Sequence, residues 1–388
     1  MKQEIISYMN SIKEDIYNLS YYLYNNPETS YKEYKGCSYI VNMLKSHDFQ
    51  VQENYCNIPT SFYAQYGDGH PKICYICKYT STEDLGHIFG NNVNAAISTA
   101  AALGLSKIIS KSGGSVILLG CPGEYTNGSE LTLTKEKCFE DIDVIIAPHC
   151  DINNAESGTS MAKIPIKIKY SQDINKSNNK ESSTFSSLDA YLFILNTLNQ
   201  LLKSLNNSSS IETISMNDVS SKPDLFAESE VTFYLSSNKL IEAKLLEKTI
   251  MDFVSSAAKI MGISGEVSLF ELPSEELLSN KYLSRLFTHN LKECGIINID
   301  CCKNALYGLG IGAISNITPC IYPSISITEN QLISCPSPSF AIETQTDFCK
   351  HNMLIAAEAL AITGLDIIEK QDLLNEILLE LRSYRSKS

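Results

Sequence analysis

The spacing of apolar residues predicts alternating helices and strands through the first 150 residues. Helical spacing covers 3–25 and 31–47. Beyond them, short apolar runs typical of buried strands alternate with further helical stretches. The predicted strands are 50–54, 62–66, 72–77, 115–120 and 142–147, and the predicted helices are 92–111 and 129–138. This alternation favours an α/β domain with a largely parallel sheet.

The pattern changes near residue 160. A predicted strand at 161–170 is followed by 171–183, which is dense in Ser, Asn, Lys and Asp and therefore predicts a loop. The next predicted elements are helices at 185–202 and 239–261 and strands at 211–216, 229–236 and 265–270. The resulting order, βαββαβ, is typical of a compact antiparallel sheet with two helices on one side.

The last third of the chain predicts a return to the first domain. Its elements are a helix at 280–293, a strand near 325–328, and long helices at 349–364 and 370–384. We therefore predict one domain inserted into another. The outer α/β domain comprises 1–162 and 274–388, and the inserted α+β domain comprises 163–273.

Charge and composition exclude several classes of function. The 388 residues include 44 acidic and 31 basic side chains, so the formal net charge is −13. A chain this acidic is not expected to bind nucleic acid or an anionic membrane. No run approaches the roughly 18 to 20 apolar residues that cross a bilayer. The first residues lack the apolar segment of a signal peptide, so we expect a cytoplasmic protein.

The cysteines predict free thiols rather than a disulfide framework. Their number, 13, is odd, and they are scattered through a long chain without an export signal. Cys74 and Cys77 have the C-x-x-C spacing of some zinc and redox sites. They lie in a predicted strand, however, where residues three apart point to opposite faces and cannot share one metal.

A series of short motifs, in a fixed order along nearly the whole chain, resembles the zinc amidohydrolases of the aminoacylase, carboxypeptidase G and p-aminobenzoyl-glutamate hydrolase type. The matching segments are Asn26-Pro27-Glu28-Thr29 with Glu33, Thr60-Ser61-Phe62-Tyr63-Ala64, Lys78-Tyr79 through Gly86-His87-Ile88-Phe89-Gly90-Asn91-Asn92, Leu118-Leu119-Gly120-Cys121-Pro122-Gly123-Glu124-Tyr125, Phe139 through His149, Ser187-Leu188-Asp189-Ala190 and Thr346-Asp347-Phe348. The resemblance implies a phosphorylase/hydrolase-like α/β/α catalytic domain. It also implies that 163–273 is a lid and dimerisation domain.

The resemblance further implies a site with two divalent metals, usually zinc, held by Cys, His and Glu side chains. A neighbouring Glu then acts as general base on the bridging water. At the metal-ligand positions this sequence has Phe89, Asn91, Tyr125, His149 and Thr344. Only His149 is a usual ligand. Glu124 occupies the general-base position, and we expect no bound metal.

The positions that the resemblance places on the substrate side have also changed. They are Thr80 in place of an Asp, Lys176, Asp224 and Ser236 in the lid domain, and Ser315 in a glycine-rich turn, with His87 nearby in the cleft. The metal-ligand positions and the substrate positions have both changed. Together, these changes indicate that the metal-dependent hydrolysis implied by the resemblance has been lost.

Two hypotheses follow. In the first, the chain is a catalytically inactive pseudo-amidohydrolase that binds a peptide-like or N-acyl amino acid ligand, or a protein partner. In the second, it is an active amidohydrolase or dipeptidase that cleaves such a compound. The second uses a single zinc or manganese ion at a rebuilt site around Glu124 and His149, with His87 as a third candidate ligand. The resemblance also implies a homodimer through the lid domain, with strand 229–236 as a candidate edge, or a mixed dimer with an active paralogue.

Overall fold

The computed structural model describes residues 1–124, 128–171, 187–204, 209–218 and 228–386. The chain divides into two compact units. The first comprises Met1–Thr159, Leu278–Asn304 and Ala313–Ser388, and the second comprises Ser160–Leu277 and Ala305–Gly312. The predicted borders, after residues 162 and 273, fall near these divisions. The prediction did not separate the short segment Ala305–Gly312 from the outer domain.

Helices and strands are intermixed along the described chain. They are α1 (Lys2–Asn25), α2 (Tyr34–Ser46), β1 (Gln50–Glu53), a 3₁₀ turn (Tyr55–Asn57), β2 (Phe62–Tyr66), β3 (Lys72–Cys77), α3 (Asn91–Ser112), β4 (Ser115–Gly120), α4 (Ser129–Lys135), β5 (Val144–Ile146), β6 (His149–Asp151), β7 (Ala162–Ser171), α5 (Ser187–Ser204), β8 (Ser209–Asp218), β9 (Glu228–Ser237), α6 (Leu240–Met261), β10 (Ser264–Leu269), α7 (Lys281–Glu293), α8 (Ile311–Ser315), β11 (Cys320–Ile321), β12 (Ser324–Ser326), α9 (Pro338–Glu343), α10 (Asp347–Glu369) and α11 (Gln371–Arg385).

A mixed sheet forms the centre of the first unit, with strands in the order β1-β2-β4-β3-β5-β11. The strands β4, β3, β5 and β11 are parallel, whereas β1 and β2 add an antiparallel edge. A separate parallel pair joins β6 to β12. The predicted α/β fold class is confirmed, and the parallel part of the sheet is its centre.

Two apolar helices, α3 and α10, pack against each other in the core of the first unit. Both are long and apolar enough, by length and composition, to cross a membrane, but 89% of each apolar window is buried inside the protein. The apolar runs in the sequence did not predict such segments, because polar residues such as Asn and Thr interrupt both helices. Close packing depends on small residues. A Cβ atom at Gly104 would lie 2.8 Å from the sulfur of Met9 on α1.

The second unit has a four-stranded antiparallel sheet in the order β10-β7-β9-β8. Its core lies between one face of this sheet and the helices α5 and α6, as the βαββαβ pattern predicted. The expectation that 229–236 forms a sheet edge is wrong. That strand is β9, which pairs with β7 on one side and β8 on the other, because strand order depends on contacts that sequence periodicity does not reveal.

The shortest elements were not predicted, because a segment of two to six residues is too short to show a periodic spacing of apolar residues. They are β6, α8, β11 and α9. The helix predicted from residue 31 begins instead at Tyr34, since Tyr31 has a left-handed backbone (φ 62°) that a helix cannot include. The predicted loop 171–183 lies outside the described residues except for Ser171, which ends β7.

Candidate functional site

Three polar side chains follow the carboxyl ends of neighbouring parallel strands in the first unit. Lys78 directly follows β3, Glu124 lies shortly after β4, and His149 follows β5. Parallel strands end at the same edge of a sheet, which is where α/β proteins commonly bind ligands. This edge is the candidate functional site.

A buried ammonium group lies between two carboxylates at this edge. The Nζ atom of Lys78 is 2.8 Å from Oε1 of Glu124 and 3.0 Å from Oε1 of Glu130, which lies in the first turn of α4. The Lys78 side chain is 4% exposed, Glu130 2% and Glu124 19%. The ammonium also lies 5.5 Å from the centre of the Tyr322 ring. All of these contacts favour the charged form of the lysine.

The charges of this group stabilise one another. Burial alone would lower the pKa of Lys78, but the carboxylates of Glu124 and Glu130 outweigh it and hold that pKa well above the ordinary value. Burial would likewise raise the pKa of Glu124, but the Lys78 ammonium and the Asn91 amide lower it. At neutral pH the group therefore contains an ammonium and ionised Glu124.

Asn91 connects Glu124 with the neighbouring loop. It begins α3, and its Nδ2 donates to Oε2 of Glu124 at 2.5 Å and to the carbonyl of Thr80 at 2.9 Å. Its Oδ1 accepts from Nδ2 of Asn94 at 3.0 Å. Both the amide nitrogen and the amide oxygen of the Asn91 side chain thus form hydrogen bonds within the protein.

A third carboxylate, Glu33, is buried beside this group, and its hydrogen-bond donors among the described residues are neutral. Its Oε1 accepts from Oγ1 of Thr80 at 2.6 Å and from the Gly123 amide at 3.0 Å. Its Oε2 accepts from Oγ1 of Thr60 at 2.8 Å. Glu33 joins three separate loops of the first unit, and Thr80 holds this position rather than facing a ligand.

His149 stacks on Tyr322, with ring centres 4.9 Å apart and planes 20° from parallel. Its Nδ1 shares a hydrogen bond of 3.0 Å with the Tyr322 hydroxyl. Burial lowers the pKa of His149, although the carboxylates of Asp151 and Glu124 oppose the shift. His149 is therefore neutral near pH 7.

Three other residues singled out from the sequence contact backbone groups of the protein. Thr344 ends α9, and its hydroxyl donates to the Ala341 carbonyl at 2.6 Å. Oγ of Ser315 accepts from the Leu278 amide at 2.9 Å. Nε2 of His87 is 3.1 Å from the Leu23 carbonyl, and burial lowers the pKa of His87 to about 4.

The remaining candidates do not join this group in the described part of the chain. Phe89 is half-buried just before α3. Ser236 lies on β9 in the second unit, where its buried Oγ has no hydrogen-bond partner among the described residues. Tyr125, Lys176 and Asp224 lie outside the described residues.

Comparison with known proteins gives consistent results over the whole chain. The Xaa-Arg dipeptidase of Mus musculus is 25% identical over 401 residues, covering 98% of this chain and 92% of the relative. A subunit of p-aminobenzoyl-glutamate hydrolase from Escherichia coli is 22% identical over 294 residues, covering 70% of this chain and 61% of the relative. These relatives, at 25% identity or less, show that the chain is similar to amidohydrolases and metallopeptidases of this type. No family model matches it.

Solved structures of low sequence identity share the fold. The aminobenzoyl-glutamate utilization protein of Klebsiella pneumoniae superposes with a TM-score of 0.71 at 12% identity, covering 94% of this chain and 98% of the other. A dinuclear metal binding peptidase of the M20 family from Bacillus subtilis superposes with a TM-score of 0.66 at 13% identity, covering 93% and 99%.

The side chains at the sheet edge differ from the donor set that a metal centre needs. Among the described residues, no group of three or more His, Cys, Asp or Glu side chains could hold a metal ion. At the sheet edge, the Glu124 carboxylate already binds an ammonium group and an amide. These described residues do not fit a metal held by three protein ligands.

Three members of this group, Lys78, Glu130 and Tyr322, were not predicted from the sequence. Lys78 did carry a signal, since it is a charged residue directly after a strand that is buried from Ile73 to Cys77. A charge in that position needs a buried partner. Glu130 and Tyr322 carried no such signal, because their approach to Lys78 depends on the folded positions of α4 and β11.

Proposed function

We propose that this chain is a catalytically silent member of the amidohydrolase family, which binds a small peptide-like or N-acyl amino acid ligand without cleaving it. The observation that carries the proposal is the buried Lys78 ammonium between Glu124 and Glu130. The Lys78 ammonium contacts the Glu124 carboxylate. By the resemblance, this carboxylate would otherwise act as a base on a metal-bound water.

Electrostatics supports the proposal. Like charges repel strongly at short range in a poorly solvated site, so a divalent cation beside Glu124 would have to displace the Lys78 ammonium or raise its energy. Moving that ammonium would leave the buried Glu130 carboxylate without its charge partner. The family's metal chemistry and this lysine are therefore poorly compatible.

The state of Glu124 also supports the proposal. A general base works best when its pKa lies near the working pH and when a lone pair faces the proton that it removes. Here Lys78 and Asn91 lower the pKa of Glu124, and each carboxylate oxygen already accepts a hydrogen bond. Glu124 is held as a structural anion rather than as a base.

The ligand class rests on the relatives. Their names, Xaa-Arg dipeptidase and p-aminobenzoyl-glutamate hydrolase, describe amide compounds with a free carboxylate. We take dipeptides ending in arginine as the first probe because the chain is strongly acidic, with a net charge of −13.

Metal content tests the proposal directly. The protein is purified without chelator, dialysed against excess zinc and manganese, washed, and analysed by elemental mass spectrometry. We expect less than about a tenth of an equivalent of metal, because a three-ligand site would retain zinc. One equivalent in the wild type that is lost in His149→Ala would overturn the metal-free site and favour a rebuilt zinc or manganese centre.

Catalysis and binding are measured on the same preparation. A panel of Xaa-Arg dipeptides and N-acyl amino acids is incubated with the protein after its dialysis against zinc and manganese and followed by mass spectrometry, and binding is measured by calorimetry. We expect binding without hydrolysis. Cleavage that disappears in Glu124→Gln would show an active hydrolase, and failure of every probe to bind would overturn the proposed ligand class.

A further inference from the structure

Two cysteine side chains from distant parts of the sequence meet in the first unit. The Sγ atoms of Cys56 and Cys138 are 2.9 Å apart, although the residues are separated by 82 positions in the chain. Both side chains are partly exposed to solvent. A disulfide bond needs an approach of less than about 1 Å more, to about 2.05 Å.

Both cysteines lie in or next to turns with left-handed backbone angles, and these turns bring the two thiols close together. Cys56 lies in the 3₁₀ turn between β1 and β2, where Asn54, Cys56 and Asn57 all have left-handed backbones. Cys138 follows α4, directly after Lys137, whose φ is also positive at 63°. Non-glycine residues adopt this conformation infrequently, so two such turns facing each other are a specific arrangement.

Nine of the other eleven cysteines differ from this pair in burial, the exceptions being the partly buried Cys294 and Cys335. Seven are buried, and burial raises the pKa of thiols such as Cys77 and Cys121. The exposed Cys301 and Cys302 are adjacent in sequence. Their Cα atoms are therefore about 3.8 Å apart, less than the roughly 4.4 Å at which disulfides usually begin. Cys301 and Cys302 are accessible but poorly placed to join each other.

We propose that Cys56 and Cys138 are a thiol–disulfide exchange site, which small-molecule disulfides such as oxidised glutathione convert reversibly into an intramolecular bridge. One cysteine thiolate attacks the glutathione disulfide, forms a mixed disulfide and releases one glutathione. The second cysteine thiolate then attacks the protein sulfur of that mixed disulfide and releases the other glutathione. Two cysteine thiols lose two electrons and two protons, and one oxidised glutathione becomes two reduced molecules.

The bridge would act on the candidate functional site through α4. Cys138 lies three residues beyond the end of α4, and the first turn of α4 carries Glu130, whose carboxylate contacts Lys78. A covalent link from Cys138 to the turn at Cys56 restrains that end of α4. We expect the oxidised form to protect the amides of 129–138 from hydrogen exchange more strongly than the reduced form.

The rate of exchange should depend on pH. Burial, followed by the neighbouring Cys138, raises the pKa of Cys56 to about 12. The thiolate is the reacting species, so exchange at neutral pH is slow and becomes faster as the pH rises from 7 to 9.

The test is oxidation of the full chain in glutathione buffers of increasing oxidised fraction, followed by alkylation and peptide mass spectrometry. We expect the Cys56–Cys138 peptide pair to be the first intramolecular disulfide, with loss of two alkylatable thiols per chain. Alkylation of both cysteines under conditions that leave Cys301 and Cys302 as glutathione adducts would overturn the proposal, as would a preferred bridge to any other cysteine.

Matched variants separate pairing from simple reactivity. In Cys56→Ser we expect glutathione to remain attached to Cys138, and in Cys138→Ser to remain attached to Cys56, because the resolving thiol is missing. Cys301→Ser should leave the bridge unchanged. Circular dichroism of the reduced variants checks that each folds. A folded Cys56→Ser that still forms an intramolecular disulfide at Cys138 would refute the pairing.

Discussion

Two neighbouring groups of buried carboxylates in the first unit are stabilised in different ways. Glu33 has two threonine hydroxyls and one backbone amide as its donors. Glu124 and Glu130 share the Lys78 ammonium, with Asn91 as an additional donor to Glu124. Asn91 also donates to the Thr80 carbonyl, so the two groups are in contact through one loop.

The two groups should differ in how much stability is lost when one of their side chains is substituted. Each hydrogen bond from a neutral donor to the Glu33 carboxylate makes a modest net contribution to stability, and the loss of one leaves the carboxylate with its other donors. A buried ion pair contributes less than its attraction suggests, but removing one partner leaves an unpaired charge in the interior. The Lys78 group should therefore be much less tolerant of substitution than the Glu33 group.

The largest effect is expected for Lys78→Met, which keeps the length of the side chain but removes its charge. The carboxylates of Glu124 and Glu130 then face each other without a cation. We expect the free energy of unfolding to fall by about 3 to 5 kcal/mol, measured by urea denaturation at pH 7. Lys45→Met is the control, since its pair with Glu53 is half exposed and such pairs contribute little. Equal effects of the two substitutions would contradict the comparison.

The second prediction concerns the triple variant Lys78→Met, Glu124→Gln and Glu130→Gln. Removing both carboxylates along with the ammonium leaves no unpaired charge, so we expect roughly 2 kcal/mol of the lost stability to return. A triple variant less stable than Lys78→Met would indicate that each carboxylate stabilises the fold independently of the lysine.

The third prediction concerns pH. The raised pKa of Lys78 stabilises the wild type at all pH values below the ordinary lysine pKa, and this contribution is lost only as the pH rises through the raised value. The lowered pKa of Glu124 stabilises the wild type above about pH 4.3, and this contribution is lost as the pH falls further.

In Lys78→Met the unpaired carboxylates bind protons more readily, which relieves the repulsion between them. The deficit of this variant should therefore shrink by about 2 kcal/mol between pH 7 and pH 4. Urea denaturation of both proteins across that range measures the change, and a deficit independent of pH would show that lost packing, rather than charge, destabilises the variant.

The smallest effect is expected for Glu33→Gln. The glutamine oxygen can still accept from Thr80 and Gly123, and the hydroxyl of Thr60 can rotate to accept from the new amide. Weaker neutral hydrogen bonds replace charge-assisted ones, so we expect a loss of about 1 to 2 kcal/mol in the same denaturation assay. A loss as large as that of Lys78→Met would remove the distinction between the two groups.

Much of the fold could be predicted because the spacing of apolar residues in a long segment indicates which of its faces is buried. The helices α1, α3, α6 and α10 and the βαββαβ order of the second unit are of this kind. The position of β9 inside its sheet could not be predicted, since alternation of apolar residues is the same in an edge strand and in a central one.

Within the candidate site, Glu124, His149 and Asn91 were singled out through the resemblance. Glu124 and His149 also lie after predicted strands. The ion pair between Lys78 and Glu130 was not predicted, because it joins residues more than 50 positions apart whose meeting is decided by packing. Thr344 and Ser315 were singled out by position, but their hydroxyls bond to nearby backbone.

The packing of α3 against α10 has a consequence for how this protein is made. On the ribosome α3 leaves the exit tunnel long before α10 has been synthesised. Helix α1 is already available to pack against α3, but until α10 is made the face of α3 that contacts α10 stays uncovered, and exposed apolar surface of this kind favours aggregation. The packing of the first unit can therefore be completed only after the last quarter of its residues has been synthesised.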